Sequence, residues 1–266
     1  MGRFPEANKR FGQHFLHAPK IIDAITTDLP PGCDGIIEVG PGPAVLTPKL
    51  KAQGLPLTVL EMDTRFQPLL AELLGSENVI MGDALEVDLP TLLRERRQTR
   101  TWLVSNLPYN VSVPLTLAFM RTPAITRMTL MYQKEVAEKF HPRPGKNTMS
   151  SLNALAEIFF DVRRVCDAPP GAFSPPPKVH SQVLSFTRKA EPLVPIAEWD
   201  LLENFLRAVF ANRRKQLQGQ LKERWGQAFT VDAFRGAQVP ETIRAEALDL
   251  PTLLRLWQLD QRQRMV

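Results

Sequence analysis

Five short runs rich in β-branched and aliphatic residues recur between residues 36 and 161: IIEV (36–39), LTVLE (57–61), NVIM (78–81), WLVSN (102–106) and MTLMY (128–132). The segments between them carry helical period, and strands alternating with helices in this way build a mostly parallel sheet with crossover helices, an α/β fold. The first runs are almost continuously apolar, as strands buried on both faces must be. After the proline-rich stretch PPGAFSPPPKV (169–179) comes one alternating run, QVLSFT (182–187), and then the period changes. From about residue 196 the pattern is helical, with Leu201, Leu202, Phe205, Leu206, Val209 and Phe210 at i, i+3 and i+4 spacing. Pro192 and Pro195 interrupt the chain between the two regimes. The expectation is an α/β domain over residues 1–190 and a small all-α domain over 191–266.

A chain of 266 residues with 44% hydrophobic content can bury one full core and a smaller second one, which excludes a disordered or fibrous protein. No apolar run approaches the roughly 20 residues needed to cross a bilayer, and the amino-terminal stretch MGRFPEANKRFGQHFL has no apolar leader core. A soluble, cytoplasmic monomer is the expectation. Cys33 and Cys166 have neither metal-ligand spacing nor the density of a disulfide framework, so they are read as structural thiols, and no metal is expected. The net charge of +5 is unevenly spread: residues 1–20 and 163–188 each carry four Lys/Arg against one acid, 189–266 carry twelve against ten, and 21–162 carry thirteen against sixteen. A mildly acidic body with basic flanks suits a polyanion-binding rim around a small-molecule pocket.

The first strand runs into GPGPAVLT. Gly40 and Gly42 let a ligand approach the backbone closely, and the helix that follows offers free N–H groups. A dinucleotide fingerprint would place a third glycine at position 45, which is Val45 here, so the nicotinamide reading is weakened. Glu61 ends the next strand, where an acid can accept hydrogen bonds from both hydroxyls of a ribose. Asp83 follows the third strand, where a carboxylate can take the exocyclic amine of an adenine. Three consecutive strand ends thus turn Gly, Glu and Asp toward one crevice.

The fourth strand ends in Asn106-Leu107-Pro108-Tyr109. An adenine N6 amine is a poor nucleophile because its lone pair is delocalised into the ring. The Asn106 side-chain carbonyl and the Leu107 main-chain carbonyl could accept its two hydrogens and aim the recovered lone pair at an electrophilic methyl group. Pro108 biases the residue before it toward an extended conformation, and Tyr109 offers a face on which a flipped-out base can stack. Phe173, in AFSPPPKV, is a second candidate for stacking.

RFGQHFL (10–16), EVGPGPAVLT (38–47), NLPYN (106–110), QKEVAEKF (133–140), PPGAFSPPPKVHSQV (169–183), FANRRKQL (210–217) and RAEAL (244–248) together resemble the ribosomal RNA adenine dimethyltransferase family, and within it the bacterial small-subunit branch. The resemblance covers nearly the whole chain. It implies a Rossmann-like class I S-adenosylmethionine-dependent methyltransferase fold with a seven-stranded sheet. It also implies dimethylation at N6 of two adjacent adenosines in the 3′-terminal hairpin loop of 16S rRNA, within an assembling 30S subunit, with S-adenosylhomocysteine as product. On the family pattern His14, Leu16, Gly40, Glu61, Asp83 and Asn106 line the S-adenosylmethionine site, and Phe173 sandwiches the adenine against Tyr109. The family usually has Asn where this chain has His14; an imidazole can also donate one hydrogen bond, so function is expected to be kept. The glycine-arginine pair that the family places before the helix at 147–160 is missing from NTMSSLNALAEIFF. Arg10, Lys178, Arg213, Arg214 and Lys215 are nominated for RNA phosphates, the last three on a helix with Phe210 and Leu217 on its apolar face. His17, His141 and His180 are read as structural.

Competing readings are the large-subunit branch of the same family, a DNA adenine methyltransferase, an RNA-binding assembly factor and a non-methylating Rossmann enzyme. The RAEAL tail argues against the first, the short chain against a target-recognition insertion, and the intact Asn106, Tyr109, Glu61 and Asp83 against loss of catalysis.

Overall fold

The computed structural model describes residues 7–8, 13–142, 149–212 and 215–264. A short strand β1 (Phe15–Leu16) precedes helix α1 (Pro19–Thr26), which begins on a proline whose fixed φ suits a first helical turn. There follow β2 (Gly35–Val39), α2 (Thr47–Lys51), β3 (Leu57–Glu61), α3 (Gln67–Leu74), β4 (Val79–Met81), α4 (Leu89–Glu95), β5 (Thr101–Asn106), α5 (Ser112–Met120) and β6 (Ile125–Gln133). Next come α6 (Lys134–Phe140), α7 (Ser151–Phe159), β7 (Phe160–Ala168), the two-residue β8 (Phe173–Ser174) and β9 (Ser181–Arg188). Apart from short 3-10 turns, the remaining elements are α8 (Trp199–Val209), α9 (Leu217–Trp225), α10 (Gln227–Gly236) and α11 (Leu250–Arg264). Among the described residues no helix is long and apolar enough to cross a membrane.

Seven strands form one sheet in the order β4-β3-β2-β5-β6-β9-β7. The five from β4 to β6 are parallel neighbours, and β9 returns antiparallel along β6, from Arg127 opposite Thr187 to Gln133 opposite Ser181. The chain leaves β2 toward β3 and β4, then crosses back to lay β5 on the other flank of β2. That reversal opens a crevice beyond the carboxyl ends of β2 and β5, where open α/β sheets bind ligands. Every residue of β2 and β3 is buried, so these strands are apolar apart from side chains with a special reason to be there. Separately, β1 pairs with β8, Phe15 opposite Ser174 and Leu16 opposite Phe173.

The chain divides into two compact units, Met1–Ala137 with Asp161–Lys189, and Glu138–Phe160 with Ala190–Val266. In the first, Ile36, Val59, Phe66, Trp102 and Val104 form the centre of the core. Buried Asp28 anchors a polar network there: Trp102 Nε1 donates to Thr129 Oγ1 at 2.8 Å, Thr129 Oγ1 donates to Asp28 Oδ2 at 2.6 Å, and Arg163 also pairs with Asp28.

In the second unit α8 buries Leu202, Phe205, Leu206 and Val209, the stripe read from its period, while Leu201 is 38% exposed. Asp260 is buried and accepts from Trp225 Nε1 at 2.6 Å and from Arg224 at 2.5 and 2.8 Å. The described residues of 138–160, assigned to the amino-terminal domain on sequence, group with these helices instead. Ser150 caps α7 by accepting from Asn153 N, Met149 N donates to Glu246 O at 3.0 Å, and Phe159 lies 5.0 Å from Trp199, ring centre to ring centre. The apolar face of α7 decides the matter, because its partners lie far along the chain where no local period can reveal them.

Candidate active site

The ends of β2, β3, β4 and β5 and the segment entering β1 enclose one cavity of about 300 Å³, lined by Gly40, Glu61, Asp83, Asn106, Tyr109 and His14 among others. Leu16, Leu107 and Pro108 line it too. These residues are spread over almost a hundred positions and all fall within the first unit.

The turn after β2 is built on left-handed backbone. Gly40 and Gly42 have φ of 67° and 52°, and Ala44 shares that region at 58°, an uncommon conformation for a residue with a Cβ. A Cβ added at Gly40 would meet nothing within 4 Å, so the backbone there faces open space that a ligand can fill. Gly42 N donates to Glu61 Oε2 and Asp63 N to Glu61 Oε1, both at 2.8 Å. Glu61 is therefore held by two main-chain donors while lone pairs on both oxygens remain for further donors. Burial pushes its carboxyl up, and the two N–H groups oppose that shift. Asp63, next to it, is held at about 2 by Arg65, whose Nε and Nη2 donate at 2.8 and 2.6 Å, with help from Gln13 Nε2 at 2.9 Å. Asp83 Oδ1 accepts from Leu85 N at 2.9 Å.

Glu38 was missed on sequence. It is the next-to-last residue of β2, 1% exposed, and lines the cavity. Among the described residues its Oε2 has no hydrogen-bond partner. Burial, opposed by the Thr47 side chain and reinforced by the neighbouring Glu61 charge, pushes its carboxyl up to about 8. The signal was there: a lone carboxylate inside the apolar run IIEV has no structural reason to be buried.

At the end of β5, Asn106 Nδ2 donates to His14 O at 3.1 Å. A main-chain carbonyl can only accept, so the amide must turn its NH₂ to His14, and its carbonyl oxygen is left for another donor. Leu107 is buried and donates its N–H to Met131 O. The Tyr109 hydroxyl shares a hydrogen with Ser181 Oγ at 2.7 Å, and burial pushes the phenol up. Phe173, expected to sandwich the adenine against Tyr109, lies in the core. It is 2% exposed, packed in the core cluster with Leu16, and is not among the cavity's lining residues. Its pairing with Leu16 across β1 and β8 draws the ring inward. The ring that faces Tyr109 belongs to His14, stacked with centres 5.5 Å apart and planes at 28°.

Of the nominated RNA contacts, Lys178 is exposed in the first unit and Lys215 in the second. Lys215 lies in the turn between α8 and α9 rather than on a helix; Phe210 and Leu217 are buried as expected. Arg10, Arg213 and Arg214 fall outside the described residues.

The residues present fit a donor that carries an adenosine: a glycine cradle beside open space, an acid at the ribose position, a second acid one strand further on, and a buried carboxyl with an unpartnered oxygen. Comparisons with known proteins agree. The chain is similar to the "Ribosomal RNA small subunit methyltransferase A" of Hahella chejuensis, 36% identical with 96% of this chain and 95% of that one aligned. It is also similar to the protein of the same name from Pseudomonas aeruginosa, 37% identical over 94% and 93%. Among solved structures it superposes on a dimethyladenosine transferase from Plasmodium falciparum with a TM-score of 0.76, and on the 23S rRNA methyltransferase ErmE with 0.70. Each is 24% identical and covers more than nine-tenths of both chains, and the likeness shows a shared fold, that of class I methyltransferases. A model of the family described as ribosomal RNA adenine dimethylase matches residues 5–256. The chain belongs to the ribosomal RNA adenine dimethylase family.

Proposed function

We propose that this chain transfers methyl groups from S-adenosylmethionine to N6 of two adjacent adenosines in the 3′-terminal hairpin loop of small-subunit rRNA, giving N6,N6-dimethyladenosine in an assembling 30S subunit, as a cytoplasmic monomer. The observation that carries the reading is the Asn106 amide at the cavity, whose NH₂ is engaged by the His14 carbonyl at 3.1 Å, which leaves its own carbonyl oxygen to accept from the substrate. Its relatives' name, with its small-subunit rRNA, supports the substrate.

S-adenosylmethionine, when bound, supplies an electrophilic methyl group on a sulfonium. Gly40 and Gly42 admit it close to the backbone, Glu61 accepts from its ribose hydroxyls, Asp83 takes its adenine amine, and Glu38 offers a buried acceptor beside the turn. Asn106 Oδ1 and Leu107 O accept the two hydrogens of the target N6, which drives the nitrogen toward pyramidal geometry and frees its lone pair. No titratable base is needed, because the amine can lose its proton after transfer. Tyr109 stacks the flipped base, worth about 1–3 kcal/mol. Phe173 acts from beneath, as the core anchor of its loop. Lys178 and Lys215, with Arg10, Arg213 and Arg214, contact phosphates.

The test is methyl transfer from labelled S-adenosylmethionine to undermethylated small ribosomal subunits, beside large subunits and DNA, followed by nucleoside analysis. Dimethyladenosine in the small subunit alone is the expected outcome. Label in the large subunit would move the assignment to the other branch of the family, and no label anywhere would refute the reading.

A further inference from the structure

We propose that His14 is a positioning residue for the target base: its imidazole braces one face of Tyr109, so that the opposite face is held ready for the flipped adenine. This rests on the rRNA reading above and assigns a role within it.

The stack has a geometry that defines the role. Ring centres 5.5 Å apart with planes at 28° lie inside the range of stacked aromatic contact. Admitting a base between the two rings would require roughly 7 Å, twice the 3.4 Å interval at which bases stack. The adenine therefore has to use the face of Tyr109 that His14 leaves uncovered, and His14 works on Tyr109 rather than on the base.

Both rings are tied down. His14 Nδ1 lies 2.8 Å from Pro175 O, and since that oxygen only accepts, Nδ1 carries the proton and donates. The next residue, Phe15, is paired with Ser174, and His17 N donates to Ala172 O at 2.9 Å. Tyr109 is held at its far end by Ser181 Oγ at 2.7 Å. A tyrosine fixed at its hydroxyl alone could still pivot about that bond; contact across one face removes the pivot. The contact to Asn106 uses the main-chain oxygen of His14, which any substitution retains. Changing the side chain thus separates the brace on Tyr109 from the orientation of Asn106.

Three variants distinguish the parts: His14→Ala removes ring and donor, His14→Asn keeps a donor without a ring, and His14→Phe keeps a ring without the donor. Each is assayed for kcat/KM on undermethylated small subunits, for S-adenosylhomocysteine affinity by calorimetry, and for thermal unfolding. With stacking carrying the base, Ala and Asn are expected to lower kcat/KM for the RNA by about tenfold. Affinity for the homocysteine product should stay within about threefold, and Phe should recover most of the loss. A His14→Ala protein as active as its parent would overturn the proposal. So would a fall in product affinity matching the fall in transfer, which would make His14 a donor contact, or a Phe variant as poor as Ala, which would give the role to the Pro175 hydrogen bond. If the unaltered chain transfers no methyl group, the rRNA reading itself fails and the proposal with it.

Discussion

Glu38 gives the sharpest quantitative test of how this site is built. The carboxyl lies in a strand buried along its whole length, with one oxygen unpartnered among the described residues, and burial pushes it up to about 8 from the ordinary 4.5. Below pH 4.5 it is protonated in both the folded and the unfolded chain and makes no difference to stability. Between about 4.5 and 8 the unfolded chain releases a proton that the folded chain keeps, so stability is lost as the pH rises, and above 8 the loss is complete. At pH 7 the interval of 2.5 units amounts to about 3 kcal/mol. Glu38→Gln is isosteric and neutral at every pH, so it should be the more stable protein, by nothing near pH 4 and by about 3 kcal/mol at pH 7.

The assay is differential scanning calorimetry of both proteins between pH 5 and 8 without ligand. At about 2 °C or more per kcal/mol for a chain of this size, the difference in Tm should open steadily to about 6 °C at neutral pH. A constant offset across the range would refute the argument, because a packing effect has no reason to follow the titration of one carboxyl. The gain should come with weaker S-adenosylhomocysteine binding. A stabilising substitution of that kind marks a residue kept for function at the expense of the fold.

Asn106→Ala should abolish methyl transfer while S-adenosylhomocysteine affinity stays within about tenfold, since the amide's open acceptor faces the target amine; an unchanged rate would remove its catalytic role. Gly42→Ala forces a Cβ onto a φ of 52° and should cost about 1–2 kcal/mol, with a lower Tm and weaker product binding as the Gly42 to Glu61 hydrogen bond shifts; an alanine variant as stable as its parent would contradict this. Asp260→Ala strands the Trp225 indole N–H and two arginines in the second unit and should cost about 3 kcal/mol by denaturant unfolding, with no direct effect on the cavity. A loss under 1 kcal/mol would show that water replaces the carboxylate.

The parallel sheet was legible because its strands are buried on both faces and so spell themselves as apolar runs. β7 was not: FDVRRVCDA is an edge strand with four charged residues, and no local period distinguishes it from a loop. β1 and β8 are two residues each, below the length at which alternation has meaning. The glycine turn, Glu61, Asp83 and the Asn106–Tyr109 turn could be placed in one cavity because each stands at or just past the end of a strand, and topology then brings strand ends together. The partner of Tyr109 could not, since an apolar ring among prolines reads the same whether it faces a pocket or a core. Phe173 lies in the core for that reason, while His14 lines the cavity and its ring stacks on Tyr109.

The burial of Phe173 explains why a strand of two residues persists at all. β1 forms too few main-chain hydrogen bonds to stand alone, so its position depends on side chains: Leu16 is 3% exposed, and Phe15 meets the edge of Phe66 at 5.9 Å. The same hydrophobic cluster holds Phe173, directly across from Leu16. Burying Phe173 therefore fixes β8, β8 fixes β1, and β1 carries the His14 carbonyl that orients Asn106 and the His14 ring that meets Tyr109. A ring at position 173 turned out of that cluster would release the strand next to the His14 contacts to Asn106 and Tyr109. The core position of Phe173 and the cavity position of His14 are thus one arrangement, in which hydrophobic burial sets the angles that the chemistry requires.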